Sequence, residues 1–316
     1  MNIAILTSGG DAPGMNVAIR SVVRYGLQRG HTIYGVTNGF QGLFNNEISE
    51  LTHRSVSGII NRGGTVLKSA RMTEFEKIEN QLKAVKNLKK HNIEALIVIG
   101  GDGSYRGAQA LNNHGIKTIG IPGTIDNDIY GTDFTLGFNT AVETIVDAID
   151  KLRDTSQSHQ RCSIIEVMGR KCGDLALYSA VSGGAEFIIT PEHPVDKEAV
   201  ISKLKEYKEA DRTHAIIVVT EKIFDVHELA REVTEKSKFT SRATVLGYIQ
   251  RGGSPSPADR ILGSKMGVYA IDLLERGISG VGVGVIANQM IYLPFETIFS
   301  NVRPYNQLYD LVGKIS

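Results

Sequence analysis

The stretch ALIVIGGDGS at residues 95–104 decides the fold class of this chain. Its first part, Ala95–Ile99, is an apolar run with little in/out alternation, which is typical of a parallel strand covered on both faces. The run ends in glycines, and a helical pattern begins at Tyr105. A buried strand that passes through a short turn into a helix is half of a strand–helix–strand unit. The stretch therefore predicts an α/β protein with a parallel sheet.

The same alternation of short apolar runs and longer amphipathic stretches continues along the chain. Strands are predicted at Asn2–Leu6, His31–Val36, Ala95–Ile99, Thr118–Ile121, Cys162–Val167, Ala215–Val219, Ala243–Leu246 and Val281–Ala287. Helices are predicted at Met15–Arg29, Phe75–His91, Tyr105–Asn113, Thr140–Arg153, Asp174–Val181, Lys197–Tyr207, Val226–Lys236 and Ala258–Arg276. This order predicts parallel sheets with right-handed crossovers, which bind ligands beyond the carboxyl ends of their strands.

The length and charge of the chain bound its class. Its 316 residues suit two domains, or one large α/β body. A domain boundary is expected near Gly137–Asn139 and a return crossing near Arg251–Gly253. The composition is ordinary for a globular protein, with 41% hydrophobic and 22% charged residues. A net charge of +1 argues against a nucleic-acid-binding protein, which would usually be basic.

The cysteines and the apolar runs bear on the compartment. Cys162 and Cys172 lie too far apart for a CxxC motif, and a chain of this size needs no disulfide framework. Two reduced thiols are therefore expected. No basic leader with a cleavage site precedes the first strand, and no apolar run approaches the length of a membrane span. A cytoplasmic protein without a membrane partner is expected.

Two glycine-rich loops follow predicted strands. The loop TSGGDAPG at 7–14 lets backbone N–H groups approach a phosphate, but it is neither a Walker A loop nor GxGxxG. By itself it fits a tight strand-to-helix turn equally well. The loop GGDGS at 100–104 indicates more, since Asp102 is a hard oxygen ligand placed where Mg²⁺ on a nucleotide would sit. Ser104 is predicted to cap the helix that follows.

The segment PGTIDND at 122–128 follows the fourth predicted strand. Asp126 and Asp128 flank Asn127, and Thr124 lies two residues before Asp126. Phosphoryl transfer to an alcohol needs a carboxylate that orients the hydroxyl and accepts its proton. A surface turn rich in Asx residues would explain Asn127 and one aspartate, but not the accumulation of three such loops.

Arginines stand beside several predicted strand ends. They are Arg161, Arg170, Arg242 and Arg251, and a further arginine, Arg71, follows Gly63-Gly64-Thr65. A guanidinium group donates two hydrogen bonds in one plane, which suits a phosphate. Any single arginine is more often a solvated surface residue. Several of them in one α/β protein indicate a substrate that carries its own phosphate.

Together these motifs resemble the bacterial ATP-dependent 6-phosphofructokinase family. The resemblance runs nearly end to end, weakens after about Gly280, and is poor over 292–316, a stretch to which no function is assigned. Its motifs are TSGGDAPGMN at 7–16, GGDGS at 100–104, PGTIDND at 122–128, EVMGR at 166–170 and IQRGGSP at 249–255. The resemblance implies two Rossmann-like, doubly wound, mostly parallel domains. Residues 1–137 with 252–300 are implied to bind ATP, and 138–251 with 301–316 the sugar phosphate.

The resemblance also implies an activity, namely transfer of the ATP γ-phosphoryl group to the 1-hydroxyl of fructose 6-phosphate with Mg²⁺. Asp126 is implied as the base, with Thr124 and Asp128 in support and Arg170 near the transferred phosphate or the sugar. The residues implied at ATP are Gly10, Arg71, Met72, Gly101, Asp102, Gly103 and Ser104, with Asp102 at the metal. Those implied at the sugar phosphate are Thr124, Ile125, Asp126, Arg161, Met168, Gly169, Arg170, Glu221, Arg242, Tyr248 and Arg251. Arg161 and Arg242 are expected from a neighbouring subunit, so a homotetramer is expected.

Two glycines bear on the phosphoryl donor. Pyrophosphate-using relatives typically carry Asp and Lys at the positions of Gly103 and Gly123, so the resemblance implies ATP as the donor. One departure from the family concerns the sugar site. Tyr248 stands where the family usually has His, and Tyr cannot become cationic near neutral pH. Modestly weaker binding of fructose 6-phosphate is therefore expected.

A second departure concerns regulation. The family binds ADP or GDP as activator and phosphoenolpyruvate as inhibitor in a basic cleft between subunits. The residues that fit this cleft are Arg20, Arg24, His53, Arg54, Ser57, Arg153, Gly184, Glu186, Arg212 and His214. His53 replaces an Arg and Ala210 replaces a Lys, so weaker effector binding is expected because fewer charge-assisted hydrogen bonds are available.

Three other classes of protein share part of this pattern. An NAD or diacylglycerol kinase shares the Gly-Gly-Asp-Gly loop but is not expected to carry the segments 122–128 and 168–170. A pyrophosphate-dependent relative is disfavoured by the two glycines above. A nucleotide sensor without catalysis predicts loss of the carboxylates, whereas Asp102, Asp126 and Asp128 are all present.

Overall fold

The computed structural model describes residues 1–315. Its strands are β1 (Asn2–Thr7), β2 (Thr32–Val36), β3 (Ile48–Leu51), β4 (Ala95–Gly100), β5 (Lys117–Pro122), β6 (Cys162–Val167), β7 (Phe187–Ile189), β8 (Ala215–Thr220), β9 (Ser241–Val245), β10 (Val281–Ile286) and β11 (Gln289–Pro294). Its helices are α1 (Met15–Gln28), α2 (Gly39–Asn45), α3 (Ile78–Lys90), α4 (Asp102–Asn113), α5 (Phe138–His159), α6 (Asp174–Gly183), α7 (Lys197–Glu209), α8 (Val226–Ser237), α9 (Pro257–Glu275), α10 (Phe295–Ser300) and α11 (Leu308–Ile315). Short 3₁₀ helices lie at Thr73–Glu76 and Gly247–Arg251.

The chain divides into two compact units. The first unit contains Met1–Thr140 and Arg251–Arg303, and the second contains Ala141–Gln250 and the described chain from Pro304 onward. The long helix α5 begins in the first unit and continues in the second. Each unit has a parallel sheet and a hydrophobic core of its own.

The first unit is built on a seven-stranded sheet in the order β11-β10-β5-β4-β1-β2-β3. Its five inner strands run parallel, and the edge strands β3 and β11 pair antiparallel with β2 and β10. The chain leaves β1 toward β2 and resumes with β4 on the other side of β1. The strand order therefore reverses between β1 and β4, and a ligand site is expected at their carboxyl ends.

The second unit is built on a four-stranded sheet in the order β7-β8-β6-β9, and all of its strand pairs are parallel. From β6 the chain goes to β7 and β8 on one side and to β9 on the other, so the order reverses at β6. The carboxyl ends of β6, β8 and β9 therefore lie next to one another at the corresponding edge of this sheet.

Burial on both faces explains the continuous apolar sequences of the inner strands. All six residues of β4 and of β8 are buried, because helices cover both faces of each sheet. In the first unit the core includes Leu96 and the fully buried Tyr105, and in the second it includes Ile217 and Phe239. Apolar runs without alternation are what such doubly covered strands require.

The predicted fold class is confirmed, and each predicted strand and helix is present, with unchanged bounds for Cys162–Val167 and shifted ends for the others. The strands β3, β7 and β11 and the helices α2, α10 and α11 were not predicted. Cys162 and Cys172 are both buried, and no disulfide joins them, as predicted. Within residues 1–315, no helix has both the length and the apolar composition that a membrane span requires.

Candidate active site

The loop after β1 lies at the switch point of the first sheet. Ser8 donates its backbone N–H to the carbonyl of Ile99 at 2.9 Å, which joins this loop to the end of β4. Gly9 has φ 85° and Gly14 has φ 103°, left-handed conformations that glycine adopts without strain. The carbonyl of Gly9 accepts a hydrogen bond from the Ser69 hydroxyl at 2.7 Å. Hydrogen bonds thus join this loop to the end of β4 and to Ser69, and the loop leads directly into α1.

The loop after β4 leads into α4. Gly101 is the N-cap of this helix and Asp102 is its first residue, so the carboxylate lies at the positive end of the helix dipole. Its side chain is half exposed and pairs with Arg106 at 3.1 Å. The predicted capping role of Ser104 is wrong. The helix begins at Asp102, two residues before Ser104, because Gly101 is extended, and Ser104 is a buried residue of the first turn.

The loop after β5 carries the two aspartates. Gly123 donates its N–H to the carbonyl of Gly100 at 3.1 Å, which places this loop beside the loop after β4. Asp126 is only 6% exposed, whereas Asp128 is exposed. The Thr124 hydroxyl accepts a hydrogen bond from the backbone N–H of Asp126 at 3.2 Å. The structure therefore brings Thr124 and a buried carboxylate to the edge that holds both glycine loops.

Asn127 anchors this loop from within, a role that the sequence did not reveal. It is fully buried with φ 53°. Its side-chain oxygen accepts a hydrogen bond from the Thr135 N–H at 2.9 Å, and its amide donates to the Asp133 carbonyl at 3.1 Å. The Thr135 hydroxyl donates to the carbonyl of Thr124 at 2.6 Å. The only available signal was Asn itself, which tolerates the left-handed conformation better than most residues.

Gly103 and Gly123, from which ATP was predicted as the phosphoryl donor, have different surroundings. An ideal Cβ on Gly103 would meet nothing within 4 Å, so a side chain there would project into open space. An ideal Cβ on Gly123 would lie 2.8 Å from Ile99 Cγ2 and 3.0 Å from Met15 Cε. A side chain at position 123 would therefore require Ile99 on β4 or Met15 on α1 to shift.

The other residues predicted at ATP are Gly10, Arg71 and Met72. Gly10 is half-buried, and its ideal Cβ would lie 3.3 Å from the guanidinium carbon of Arg251. Arg251, predicted at the sugar phosphate, thus stands beside the loop after β1. Arg71 is exposed, and Met72 packs against the core of the first unit.

In the second unit, the loop after β6 carries Met168, Gly169 and Arg170. The N–H of Met168 donates to the Gln250 side chain at 3.1 Å. Gly169 has φ 135°, and an ideal Cβ there would lie 2.4 Å from the carbonyl oxygen of Cys172. The N–H of the exposed Arg170 donates to the Glu221 carboxylate at 3.2 Å. The structure therefore brings Glu221, which follows β8, against this loop.

The remaining sugar-phosphate candidates point to the surface of the second unit. Arg242 is exposed on β9, Arg161 is half-exposed before β6, and Tyr248 is 78% exposed. Ile125, by contrast, is buried in the first unit.

A carboxylate on β6, close to the loop that carries Met168, Gly169 and Arg170, has a raised pKa. Burial raises the pKa of Glu166, on β6, and the nearby charge of Glu221 raises it further. The negative charge that follows β8 therefore disfavours the charged form of Glu166.

Half of the predicted effector residues meet in the second unit. Arg153 donates to the carbonyl of Gly184 at 2.8 Å and approaches His214 Nε2 at 3.4 Å. A cavity of about 220 Å³ lies beside them, and its lining includes Gly184, Glu186, Arg212 and Val312. The Glu186 carboxylate accepts a hydrogen bond from the Ile216 N–H at 2.7 Å.

The other predicted effector residues belong to the first unit. Arg20 and Arg24 lie on α1, and His53, Arg54 and Ser57 are exposed in the loop that follows β3. The two sets are thus carried by different units of the chain.

Glycine loops at the carboxyl edge of a parallel sheet, at its switch point, place this chain among the doubly wound α/β proteins that bind phosphate groups. The sequence profile of the phosphofructokinase family matches residues 2–274. The chain belongs to this family.

Two relatives match nearly the whole chain. A Haemophilus ducreyi protein named ATP-dependent 6-phosphofructokinase is 54% identical over 317 residues, covering 99% of this chain and 98% of the relative. A Teredinibacter turnerae protein of the same name is 50% identical, covering 100% of this chain and 99% of the relative.

Solved structures confirm the phosphofructokinase fold. The phosphofructokinase of Saccharomyces cerevisiae matches 99% of this chain with a TM-score of 0.87 and 32% identity, and this chain spans 46% of that chain's length. The pyrophosphate-dependent phosphofructokinase of Marinobacter aquaeolei matches 98% of this chain and 86% of its own, with a TM-score of 0.87 and 20% identity. The second likeness shows a shared fold alone.

Proposed function

We propose that this chain is an ATP-dependent 6-phosphofructokinase that transfers the γ-phosphoryl group of ATP to the 1-hydroxyl of fructose 6-phosphate. The products are fructose 1,6-bisphosphate and ADP, and the reaction is the committed step of glycolysis. The observation that carries the proposal is the buried Asp126 at the edge that also holds two glycine loops. Relatives that bear this name, at 50% and 54% identity over nearly the whole chain, support it.

Asp126 is proposed as the base. Its carboxylate orients the 1-hydroxyl and accepts its proton as the new P–O bond forms, and the bond from phosphorus to the β,γ-bridging oxygen of ATP breaks. Burial keeps water from this carboxylate. Thr124 holds the backbone on which Asp126 stands through the hydrogen bond described above. Asp128 and Arg170 are proposed to support the reacting groups from their exposed positions.

The first unit is proposed to hold ATP, chiefly through residues 1–137 and 252–300. The amides of the loops after β1 and β4 and the positive end of α4 suit the phosphate chain. The residues assigned here are Gly10, Arg71, Met72, Gly101, Asp102, Gly103 and Ser104. The open space at Gly103 supports this assignment, because a nucleotide can approach the backbone there.

Mg²⁺ is proposed to bind at Asp102. Among residues 1–315, no group of three or more His, Cys, Asp or Glu side chains is placed to hold a metal ion. Mg²⁺ on nucleotides is usually bound by one or two carboxylates and by substrate phosphates, so a single half-exposed Asp102 at a helix N-terminus fits. When bound, the ion neutralises charge on the transferred phosphoryl group.

The second unit, chiefly 138–251 with 301–316, is proposed to hold fructose 6-phosphate. Its assigned residues are Met168, Gly169, Arg170, Glu221 and Tyr248, with Arg251 and with Arg161 and Arg242 from a neighbouring subunit. The exposure of Arg242 and Tyr248 supports a shared site, because an exposed side chain can reach a ligand on another chain. A homotetramer is proposed on this ground.

Regulation is proposed at the cavity beside Gly184. Arg153 and Arg212 supply positive charge around it for ADP, GDP or phosphoenolpyruvate, and His214 lies beside Arg153. Weakened responses are expected because His53 and Ala210 replace cationic residues. The proposed location is the cytoplasm, where glycolytic substrates are found.

The experiment is a coupled assay of ADP production from ATP, with and without fructose 6-phosphate and Mg²⁺. Asp126→Ser is expected to lower kcat by about 10²- to 10⁴-fold, the usual contribution of a general base. Asp147→Ser, an exposed carboxylate on α5 that pairs with Lys151, is the matched control and should leave kcat unchanged. Wild-type enzyme without sugar-dependent turnover, or with pyrophosphate as the preferred donor, would disprove the proposal.

A further inference from the structure

A fully buried carboxylate lies in the first turn of α9, outside the residues assigned to substrate. Asp259 Oδ1 accepts a hydrogen bond from the N–H of Gly137 at 3.0 Å. Its Oδ2 accepts from the N–H of Thr140 at 2.8 Å and from the Thr140 hydroxyl at 2.6 Å. These donors belong to the start of α5, whose first amides have no partners within the helix. Asp259, which lies on α9, therefore caps the N-terminus of α5.

The start of α9 shows why this arrangement is unusual. Ser256 is its N-cap and accepts from the N–H of Asp259 at 3.2 Å, as in a capping box. In a capping box the side chain at the position of Asp259 would in turn accept from the N–H of Ser256. Here that N–H donates to the Thr140 hydroxyl at 2.9 Å instead. The two helix starts thus cap each other, and we call Asp259, Thr140 and Ser256 the crossed cap.

The crossed cap also touches the glycine loop after β1. An ideal Cβ on Gly14, the N-cap of α1, would lie 3.5 Å from Cβ of Asp259. An ideal Cβ on Gly137 would lie 2.7 Å from Cβ of Ala12. Two loops therefore pack together beside Asp259. One is the loop before α1, and the other is the loop that carries Asp126 and ends at Gly137.

We propose that Asp259 is a positioning residue, which sets the place of the Asp126 loop relative to the glycine loop through the crossed cap. This inference rests on the proposed function, because misplacement of reacting groups by about 1 Å can cost about 10²-fold in rate. Burial raises the pKa of Asp259, because removal from water costs the charged form free energy. The hydrogen bonds that its carboxyl group accepts offset part of that cost.

The test is steady-state kinetics of the purified full-length enzyme at a temperature at which each variant is folded. Asp259→Asn keeps the shape but replaces one acceptor oxygen with an NH₂ group that faces an N–H. It is expected to lower kcat about 20-fold or more and to change both KM values less than about threefold. Thr140→Val should lower kcat in the same way, and Thr140→Ser, which keeps the hydroxyl, should restore it. This pair carries the test if Asp259→Asn does not fold.

Asp272→Asn is the matched control. Asp272 is a second carboxylate on α9, and it joins α9 to α1 by accepting from the Tyr25 hydroxyl at 2.8 Å. It should keep wild-type kcat. Equal losses in Asp272→Asn and Asp259→Asn would overturn the inference, because general helix packing would then explain both. Wild-type kcat in folded Asp259→Asn and Thr140→Val would also overturn it.

Hydrogen–deuterium exchange separates this inference from the proposed function. In Asp259→Asn the amides of residues 123–137 should exchange faster, while those of α9 beyond its first turn should not change. If the wild type does not phosphorylate fructose 6-phosphate, the proposed function fails and this exchange pattern still decides the inference. Unchanged exchange in the loop would count against the crossed cap.

Discussion

The loop after β5 and the loop after β6 lie at corresponding edges of the two sheets but are held differently. In the first unit, Asn127, Thr135 and Asp259 fix the residues between Gly123 and Thr140 by hydrogen bonds within the protein, and Asp126 is buried. In the second unit, Gly169 and Glu221 fix the backbone, but the arginine side chains remain exposed. The loop after β5 is therefore preorganised by the protein itself, whereas we propose that a ligand and a neighbouring chain complete the sugar-phosphate site.

The largest effect among the following three predictions is expected from a new charge at Gly103, in the loop after β4. Gly103→Asp should fold normally, since its Cβ meets nothing within 4 Å and acidic residues suit a helix N-terminus. A negative charge there should repel ATP phosphates and raise the KM for ATP about 30-fold, which corresponds to about 2 kcal/mol. Gly103→Ser is the neutral control, and its KM should stay near the wild-type value. A similar rise in both variants would mean that bulk rather than charge matters.

A smaller effect is expected from Arg303, which holds the outer side of the Asp126 loop. Its guanidinium donates to the carbonyls of Thr132 at 2.8 Å and Ile129 at 3.2 Å. Arg303→Lys replaces a planar fork with a point charge, so kcat should fall about fivefold at unchanged KM for ATP. Arg276→Lys, at the exposed end of α9, is the control for the same substitution. Unchanged kcat in Arg303→Lys would show that the loop needs no outer support.

The smallest effect is expected at Tyr248, one of the exposed side chains proposed to bind the sugar phosphate in the second unit. Tyr248 is 78% exposed, so its replacement should not affect folding. Tyr248→His can supply a partly cationic donor and should lower the KM for fructose 6-phosphate about threefold near neutral pH, less than a full charged hydrogen bond contributes. Tyr248→Phe, which removes the hydroxyl alone, should raise this KM slightly. No improvement with His would mean that Tyr248 does not contact the sugar phosphate.

Much of the fold was predictable because doubly covered strands leave a local signature. The apolar run at Ala95–Ile99 and its neighbours predicted the inner strands within a residue or two. The strand β7 has only three residues, and β11 is a half-buried antiparallel edge strand, so neither gives a continuous apolar run. The start of α5 was placed two residues late, at Thr140, because the cap of this helix comes from α9 rather than from its own sequence.

The candidate site was predictable only where chemistry and backbone lie in one stretch. Asp126 and the glycine loops could be read from strand ends, since the fold brings those ends to one edge. The error at Ser104 arose because an extended Gly101 moved the helix start. The anchoring roles of Asn127 and Asp259 depend on partners that local patterns do not identify. Ser256 and Asp259 have the spacing of a capping box, which predicts a local bond where the structure has a long-range one.

The crossed cap has a consequence for the biosynthesis of the chain. Asp259 and Thr140 are separated by 119 positions in sequence. As the chain is synthesised from its N-terminus, the loop that carries Asp126 emerges long before the helix that caps its end. Contacts of such large sequence separation form slowly, since the entropy of loop closure opposes them. The nascent chain therefore acquires its catalytic geometry only after α9 has left the ribosome, and an incomplete chain carries every residue of that loop without its working shape.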